Sequence, residues 1–167
     1  MVDDAFGHWL AGFLDGEGCF IVERTPQSER QQNHGYFCAC QIGLRRDDEP
    51  ILREIAARTG LGTVRYFHPG KGNHAVSWCV RAKAECAELV RLLDVYPLRA
   101  KKAPDYAVWR QAVTAWQGIR KGRNVPRDYS QMERCAEALK ALRAYEGGAL
   151  GELAVVREIR AANLMAS

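Results

Sequence analysis

The sequence predicts an α+β fold, in which elements in the order αββαββα form a core with an antiparallel sheet and a helical tail follows. Apolar residues recur at helical spacing in several segments, and two pairs of short β-prone runs lie between them. A polar or glycine-rich turn joins the members of each pair, as in a hairpin. The 167 residues are 47% hydrophobic, which suits one domain with a buried core. No apolar run approaches about 18 residues, so neither a membrane span nor a membrane partner is expected.

The elements follow in chain order. They are a helix over 4–14, strands over 19–24 and 36–44, a helix over 51–59, strands over 63–67 and 75–80, and helices over 83–93, 105–117, 130–146 and 150–161. The polar segment 25–34 joins the first two strands, and the glycine-rich segment 69–73 joins the second two.

Local signals indicate where several helices begin and end. The acids and proline of the segment 48–50 suit the first turn of the second helix, and Gly60 ends that helix. The helix that contains Trp109 carries its aromatic residues on one face, which favours a place in the core. Ser130 and Glu133 have the spacing of a capping box, which predicts a helix start at Ser130.

The stretch from Trp9 to Gly18 is the most informative part of the chain. It reads Trp-Leu-Ala-Gly-Phe-Leu-Asp-Gly-Glu-Gly, so an apolar helix ends in two carboxylates set between glycines, which allow unusual backbone angles. Ala11, Gly12 and Gly16 give this helix a face with almost no side chain, which lets another backbone approach closely. If two such helices packed side by side, two Glu17 carboxylates would meet. Like charges so close together favour a divalent cation between them, and their hard oxygen ligands suit Mg²⁺.

The distribution of charge and of cysteines indicates the kind of partner and the location of the protein. The segment 97–127 holds eight basic residues against Asp105 alone, which indicates a polyanionic partner, although a solvated basic surface is the alternative. The six cysteines are scattered with no Cys-x-x-Cys pair, so zinc is not expected and a reducing, intracellular location fits. The acidic amino terminus lacks the basic flank of a signal peptide.

The stretch from Trp9 to Gly18 resembles the motif of the LAGLIDADG homing endonucleases. Five residues match the motif letter for letter, namely Leu10, Ala11, Gly12, Asp15 and Gly18, and the other four are conservative variants. The resemblance extends over roughly the first 117 residues. We therefore expect 1–167 to be a single LAGLIDADG domain, with a core over about 1–117 and a helical tail over about 118–167. Because the motif occurs once, the resemblance implies a homodimer.

The resemblance implies a site-specific endonuclease that cuts double-stranded DNA at a long pseudo-palindromic site and spreads a mobile intron. Glu17 and Gly16 are expected to hold Mg²⁺, and Glu17 and Lys101 to be the catalytic residues. Mn²⁺ is expected to substitute, and Ca²⁺ to support binding without cleavage. The residues expected at the dimer interface are Leu10, Ala11, Gly12 and Asp15. The expected location is intracellular, in the cytoplasm or nucleoid or in an organelle matrix.

The strands are expected to lie along the major groove, with one sheet face on the core and the other on DNA. Gln41 and Arg65 are the leading candidates for base edges, since amide and guanidinium groups pair bidentately with adenine and guanine. The full set of residues expected at the DNA is Glu23, Thr25, Gln27, Arg30, Gln32, Gln41, Arg45, Arg65, Lys71, His74, Lys102, Arg120, Lys121 and Arg123.

Two departures from the family pattern keep an alternative open. Glu17 replaces the commoner aspartate, and Leu44 stands where some members carry a polar residue that orders water. The alternative is a LAGLIDADG protein that binds nucleic acid without cutting it, either an RNA splicing cofactor (maturase) or a transcription regulator. Read alone, Asp15 also fits an ordinary local cap.

Overall fold

The computed structural model of the chain describes residues 2–25, 35–67, 75–119 and 127–144. The predicted α+β fold is confirmed, with helices and a four-stranded antiparallel sheet. The elements are α1 (Asp4–Glu17), β1 (Gly18–Arg24), β2 (Tyr36–Arg45), α2 (Glu49–Thr59), β3 (Thr63–Phe67), β4 (Ala75–Val80), α3 (Lys83–Val95), α4 (Ala103–Gly118) and α5 (Ser130–Arg143). One 3₁₀ turn, Arg46–Asp48, precedes α2. None of the helices in these ranges is long and apolar enough to cross a membrane.

The strands form one sheet in the order β1-β2-β4-β3. In its register Ile42 lies opposite Trp78, which in turn lies opposite Val64. Ile42 and Trp78 have no exposed surface, and neither do Val76 and Val80 on the same face of β4. Since side chains alternate along a strand, the opposite face carries the polar residues of β2 and β3.

The chain divides into two compact units. One contains Met1–Phe20 and Ala39–Ala103, and the other contains Ile21–Cys38 and Pro104–Ser167. In the first unit α2 packs against β3 and β4, and α1 packs against α3. In the described part of the second unit the buried apolar residues include Trp109 of α4 and Met132 of α5.

Helix α1 is longer than the sequence indicated. The prediction ended it near Leu14, whereas the helix continues to Glu17 and Gly18 is extended at φ −70° and ψ 144°. The glycines around Glu17 do not use the unusual backbone angles that glycine allows, since among the described residues only Gly60 and Gly62 have positive φ. Gly18 is needed for space instead, because a Cβ there would collide with the carbonyl oxygen of Leu14.

The predicted capping box at the start of α5 was also wrong, although the helix begins at Ser130 as expected. The Ser130 N–H donates to Asp128 Oδ1 at 2.8 Å, so an acid two residues upstream takes the role expected of the Glu133 side chain. Glu133 Oε1 instead accepts the hydroxyl of Tyr36 at 3.0 Å. α5 ends at Arg143, before the expected glycine stop, and the helix expected over 150–161 lies outside the described residues.

The turn between α2 and β3 contains two glycines in the left-handed region of backbone space. Gly60 and Gly62 have φ of +68° and +72°, but a Cβ at Gly60 would meet open space. A Cβ at Gly62 would lie 2.7 Å from Trp78 Nε1, which donates to the Leu61 carbonyl oxygen, and 2.8 Å from the Cys79 carbonyl oxygen.

We expect Gly60→Ala to lower the free energy of unfolding by about 1 kcal/mol, the cost of a left-handed residue that carries a Cβ. We expect Gly62→Ala to lower it by about 3 kcal/mol, because overpacking against Trp78 adds to that cost. Urea denaturation of the two variants measures the difference, and equal losses would contradict the packing of this turn.

Candidate active site

Helix α1 has a buried apolar face and an exposed face of small residues. Phe6 is 4% exposed, and Leu10 and Leu14 have no exposed surface. On the opposite face Gly12 and Gly16 are exposed, and a Cβ at either would meet no atom within 4 Å. The helix therefore completes its packing within the chain through one side and leaves Gly12 and Gly16 exposed on the other.

The residues expected at the dimer interface divide between these two faces. Gly12 lies on the exposed strip, whereas Leu10, Ala11 and Asp15 are 0%, 4% and 7% exposed. The side chains of these three residues are already buried in their own chain, and their place at a dimer interface stays a prediction. Each helical residue advances by about 100°, so a surface centred on Gly12 also contains positions three, four and seven residues away.

The exposed strip of α1 consists of Ala5, Trp9, Gly12 and Gly16. Trp9 is 39% exposed and stacks between Phe6 and Phe13, with ring centroids 5.3 Å and 5.1 Å away. The sequence analysis did not assign Ala5 and Trp9 to this strip, although their spacing from Gly12 places them on the same helical face.

Glu17 is the last residue of α1, and its side chain is exposed. Because β1 begins at Gly18, no helical N–H group follows to pair with the carbonyl oxygens of Gly16 and Glu17. A carboxylate beside helix-end carbonyls forms a set of hard oxygen donors at the negative end of the helix dipole. These donors fit a divalent cation such as Mg²⁺. In the described ranges no three His, Cys, Asp or Glu side chains come together.

Asp15 holds a loop that is distant in sequence. Its Oδ2 accepts the backbone N–H groups of Arg99 at 2.6 Å and Ala100 at 2.7 Å, and its Oδ1 accepts that of Lys102 at 3.1 Å. The loop joins α3 to α4 and carries the exposed side chain of Lys101. The Asp15 carboxylate therefore caps backbone N–H groups of the Lys101 loop, and not those of its own turn. The same unit of the chain thus holds both predicted catalytic residues.

The sheet face opposite the core carries Gln41, Thr63 and Arg65 within the first unit. Gln41 lies opposite Cys79, which also lies opposite Thr63, and Arg65 lies opposite Ser77. Gln41 is half-buried, whereas Thr63 and Arg65 are exposed. Burial raises the pKa of the Cys79 thiol, so this thiol stays protonated at neutral pH.

Arg45 lies at the end of β2 and has a partner. It forms two hydrogen bonds with Asp47, Nε to Oδ1 at 3.1 Å and Nη2 to Oδ2 at 2.7 Å, and both side chains are largely exposed. Arg46 lies over the Tyr66 ring at 5.0 Å. An exposed ion pair of this kind contributes only about 0–1 kcal/mol, so Arg45 can exchange Asp47 for another anion at small cost.

The base of the first hairpin lies in the second unit. The Thr25 N–H donates to the Gly35 carbonyl oxygen at 2.7 Å, and Glu23 is exposed. Burial and then the Glu133 carboxylate raise the pKa of Tyr36, which keeps its hydroxyl protonated as the donor to Glu133.

Lys102, on the loop held by Asp15, is half-buried. The other residues expected at the DNA lie outside the described part of the chain. They are Gln27, Arg30, Gln32, Lys71, His74, Arg120, Lys121 and Arg123.

Comparison with known proteins identifies similar sequences. The model of a family described as LAGLIDADG endonuclease matches residues 10–113. A probable intron-encoded endonuclease, Cox1-I1b of Schizosaccharomyces pombe, is 24% identical over 108 residues, which cover 65% of this chain and 27% of that protein. An uncharacterized 50.9 kDa protein in ND4 intron 1 of Podospora anserina is 27% identical over 107 residues, which cover 63% of this chain and 23% of that protein. The chain thus spans about a quarter of the length of these relatives.

Solved structures share the fold. The homing endonuclease I-TnaI superposes with a TM-score of 0.67 at 21% identity, covering 96% of this chain and 100% of that one. The LAGLIDADG meganuclease I-AabMI was solved bound to uncleaved DNA. It superposes with a TM-score of 0.60 at 24% identity, covering 87% of this chain and 46% of that one.

Proposed function

Since this chain belongs to the LAGLIDADG endonuclease family, we propose that it is a site-specific DNA endonuclease that acts as a homodimer. The observation that carries this proposal is the end of α1, where the exposed carboxylate of Glu17 follows the exposed strip of the helix. One chain supplies one such carboxylate, whereas cutting both strands of a duplex requires two. A two-fold dimer implies a long target with approximate two-fold symmetry.

The exposed strip of α1 is the proposed contact between the two copies. Ala5, Gly12 and Gly16 present almost no side chain, which allows a second helix backbone to approach closely. Trp9 supplies a large apolar surface beside them. Such packing would bring the carboxylates of the two Glu17 residues together at the ends of the paired helices.

The Glu17 carboxylate and the Gly16 carbonyl oxygen are the groups of this chain that would hold a divalent cation, and their oxygen chemistry favours Mg²⁺. When bound, the cation would neutralise charge on the phosphate and lower the pKa of a water molecule. Mn²⁺ is expected to replace it, and Ca²⁺ to support binding without cleavage. Lys101, which is exposed on its tethered loop, would stabilise the negative charge that builds on the phosphate.

The polar face of the sheet is the proposed DNA surface. Gln41 and Arg65 would read base edges in the major groove, and Glu23 and Thr25 are also expected to contact DNA. Arg45 and Lys102 would contact phosphates, which position the protein without reading sequence. The similar proteins named as intron-encoded support spread of a mobile intron as the biological setting, and an intracellular location follows from that role.

A second candidate function follows from Leu44. This half-buried apolar residue lies opposite Val76, at the position where some members of the family carry a polar residue that orders water. A site without such a group supports the alternative of a protein that binds nucleic acid without cutting it, as an RNA splicing cofactor or a transcription regulator.

Selection of cleaved molecules from a randomised, nearly palindromic duplex library tests the enzymatic function. We expect Mg²⁺-dependent double-strand cuts at one near-symmetric sequence, and at least about a 100-fold lower rate in Glu17→Gln, because a neutral amide cannot supply the carboxylate charge. Glu54→Gln is the matched control, since this exposed glutamate of α2 pairs with Arg58 of the same helix. Tight, sequence-selective binding of DNA or RNA without cutting would favour the second candidate.

Gly12→Leu tests the proposed dimer contact. We expect the variant to fold, since its Cβ meets open space within the chain, but to sediment as a monomer at concentrations where the wild type is a dimer. Gly118→Leu is the matched control, because Gly118 is also an exposed helical glycine with open space around its Cβ but lies in α4. A Gly12→Leu variant that remains a dimer would place the contact elsewhere.

A further inference from the structure

We propose that Asp15 is a positioning residue for Lys101, which sets the rate of DNA cleavage without contacting DNA, metal or the second copy. This inference rests on the proposed nuclease function. It assigns a task to a motif carboxylate that neither the metal site nor the exposed strip of α1 uses.

The geometry of the Lys101 loop carries the inference. The loop leaves α3 after Val95 and enters α4 at Ala103, and the N–H groups on both sides of Lys101 donate to the same Asp15 carboxylate. A third N–H group, that of Arg99, donates to Oδ2 as well. A backbone fixed at positions 99, 100 and 102 leaves the Cα of Lys101 little freedom. The exposed side chain is then the only mobile part of that residue.

The position of Asp15 in α1 explains why this tether matters. Asp15 lies two residues before Glu17 and in the same helix, so one rigid element fixes both the carboxylate and the loop that carries the lysine. Misplacement of a catalytic group by about 1 Å can reduce a rate about 100-fold. Three hydrogen bonds tie the Lys101 loop to the end of α1 that carries Glu17. They therefore control the position of Lys101 relative to the Glu17 carboxylate, on which the proposed chemistry depends.

Other roles for Asp15 conflict with its surroundings. Both carboxylate oxygens already accept backbone N–H groups, and the residue is 7% exposed, so neither oxygen is available as a metal ligand. The same burial removes it from a surface that a second copy could touch. An asparagine would keep the size of the side chain but replace one acceptor oxygen with an amide that donates, facing backbone N–H groups that also donate.

Single-turnover cleavage of prebound DNA, started by adding Mg²⁺, tests the inference. We expect Asp15→Asn to lower the cleavage rate about 10-fold to 100-fold and to leave the Kd for DNA in Ca²⁺ within about two-fold of the wild type. Asp105→Asn is the matched control, because Asp105 is also a buried carboxylate, 6% exposed, and its partner is Arg143 of α5 at 3.1 Å. We expect this control to lose stability and to keep the single-turnover rate.

Two further measurements separate positioning from a general structural role. In a Lys101→Met background Asp15→Asn should change the rate less than about two-fold, because the residue that it positions is gone. Amide hydrogen exchange measured by NMR should become faster at Arg99, Ala100 and Lys102 in Asp15→Asn, while the amides of α1 keep their protection. Multiplicative rate effects in the double variant, or unchanged exchange at these three amides, would overturn the assignment.

The outcomes distinguish this inference from the function on which it rests. A wild-type protein that cuts no duplex in Mg²⁺ or Mn²⁺ overturns both. A wild-type protein that cuts, together with an Asp15→Asn variant that cuts at the same rate, overturns the positioning role alone and leaves the nuclease in place.

Discussion

Burial of one face of α1 is the constraint on which the rest of the site depends. Phe6, Leu10 and Leu14 are almost completely buried within their own chain, and each such side chain contributes roughly 1.5–3 kcal/mol by leaving water. The helix is therefore held by its own chain, and the opposite face does not have to contribute to folding. That freedom is what permits Gly12 and Gly16, two poor helix formers, to lie on the exposed side.

The last turn of α1 combines four tasks in four consecutive residues. Leu14 packs in the core, Asp15 holds the Lys101 loop, Gly16 continues the exposed strip and Glu17 presents its carboxylate to solvent. Helical geometry separates these tasks, because each residue points about 100° from the one before it. Gly18 then starts β1 directly, so the proposed catalytic carboxylate lies at the junction of the helix and the sheet that carries Gln41 and Arg65.

Signals that act over a few residues were enough to predict most of the fold. The limits of β3 and β4 match the expectation because a turn signal lies between them, and Gly60 ends α2 in the left-handed conformation that glycine favours. The partners of Asp15 could not be predicted in this way, because Arg99 lies 84 residues further along the chain. The capping box failed for the same reason, since a hydroxyl from Tyr36 competes for Glu133. The burial of Leu10, Ala11 and Asp15 could not be predicted either, because the motif letters do not say which side of the helix faces the core.

A mixed dimer of one wild-type chain and one Glu17→Gln chain tests whether each chain supplies the carboxylate for one DNA strand. Two affinity tags isolate it after coexpression, and a supercoiled plasmid carrying the selected target serves as the substrate. If each chain supplies the carboxylate for one strand, the mixed dimer should nick the plasmid and produce open circles, while the wild-type dimer produces linear DNA. Linear product from the mixed dimer at the wild-type rate would contradict the account, because a single Glu17 would then suffice for both strands.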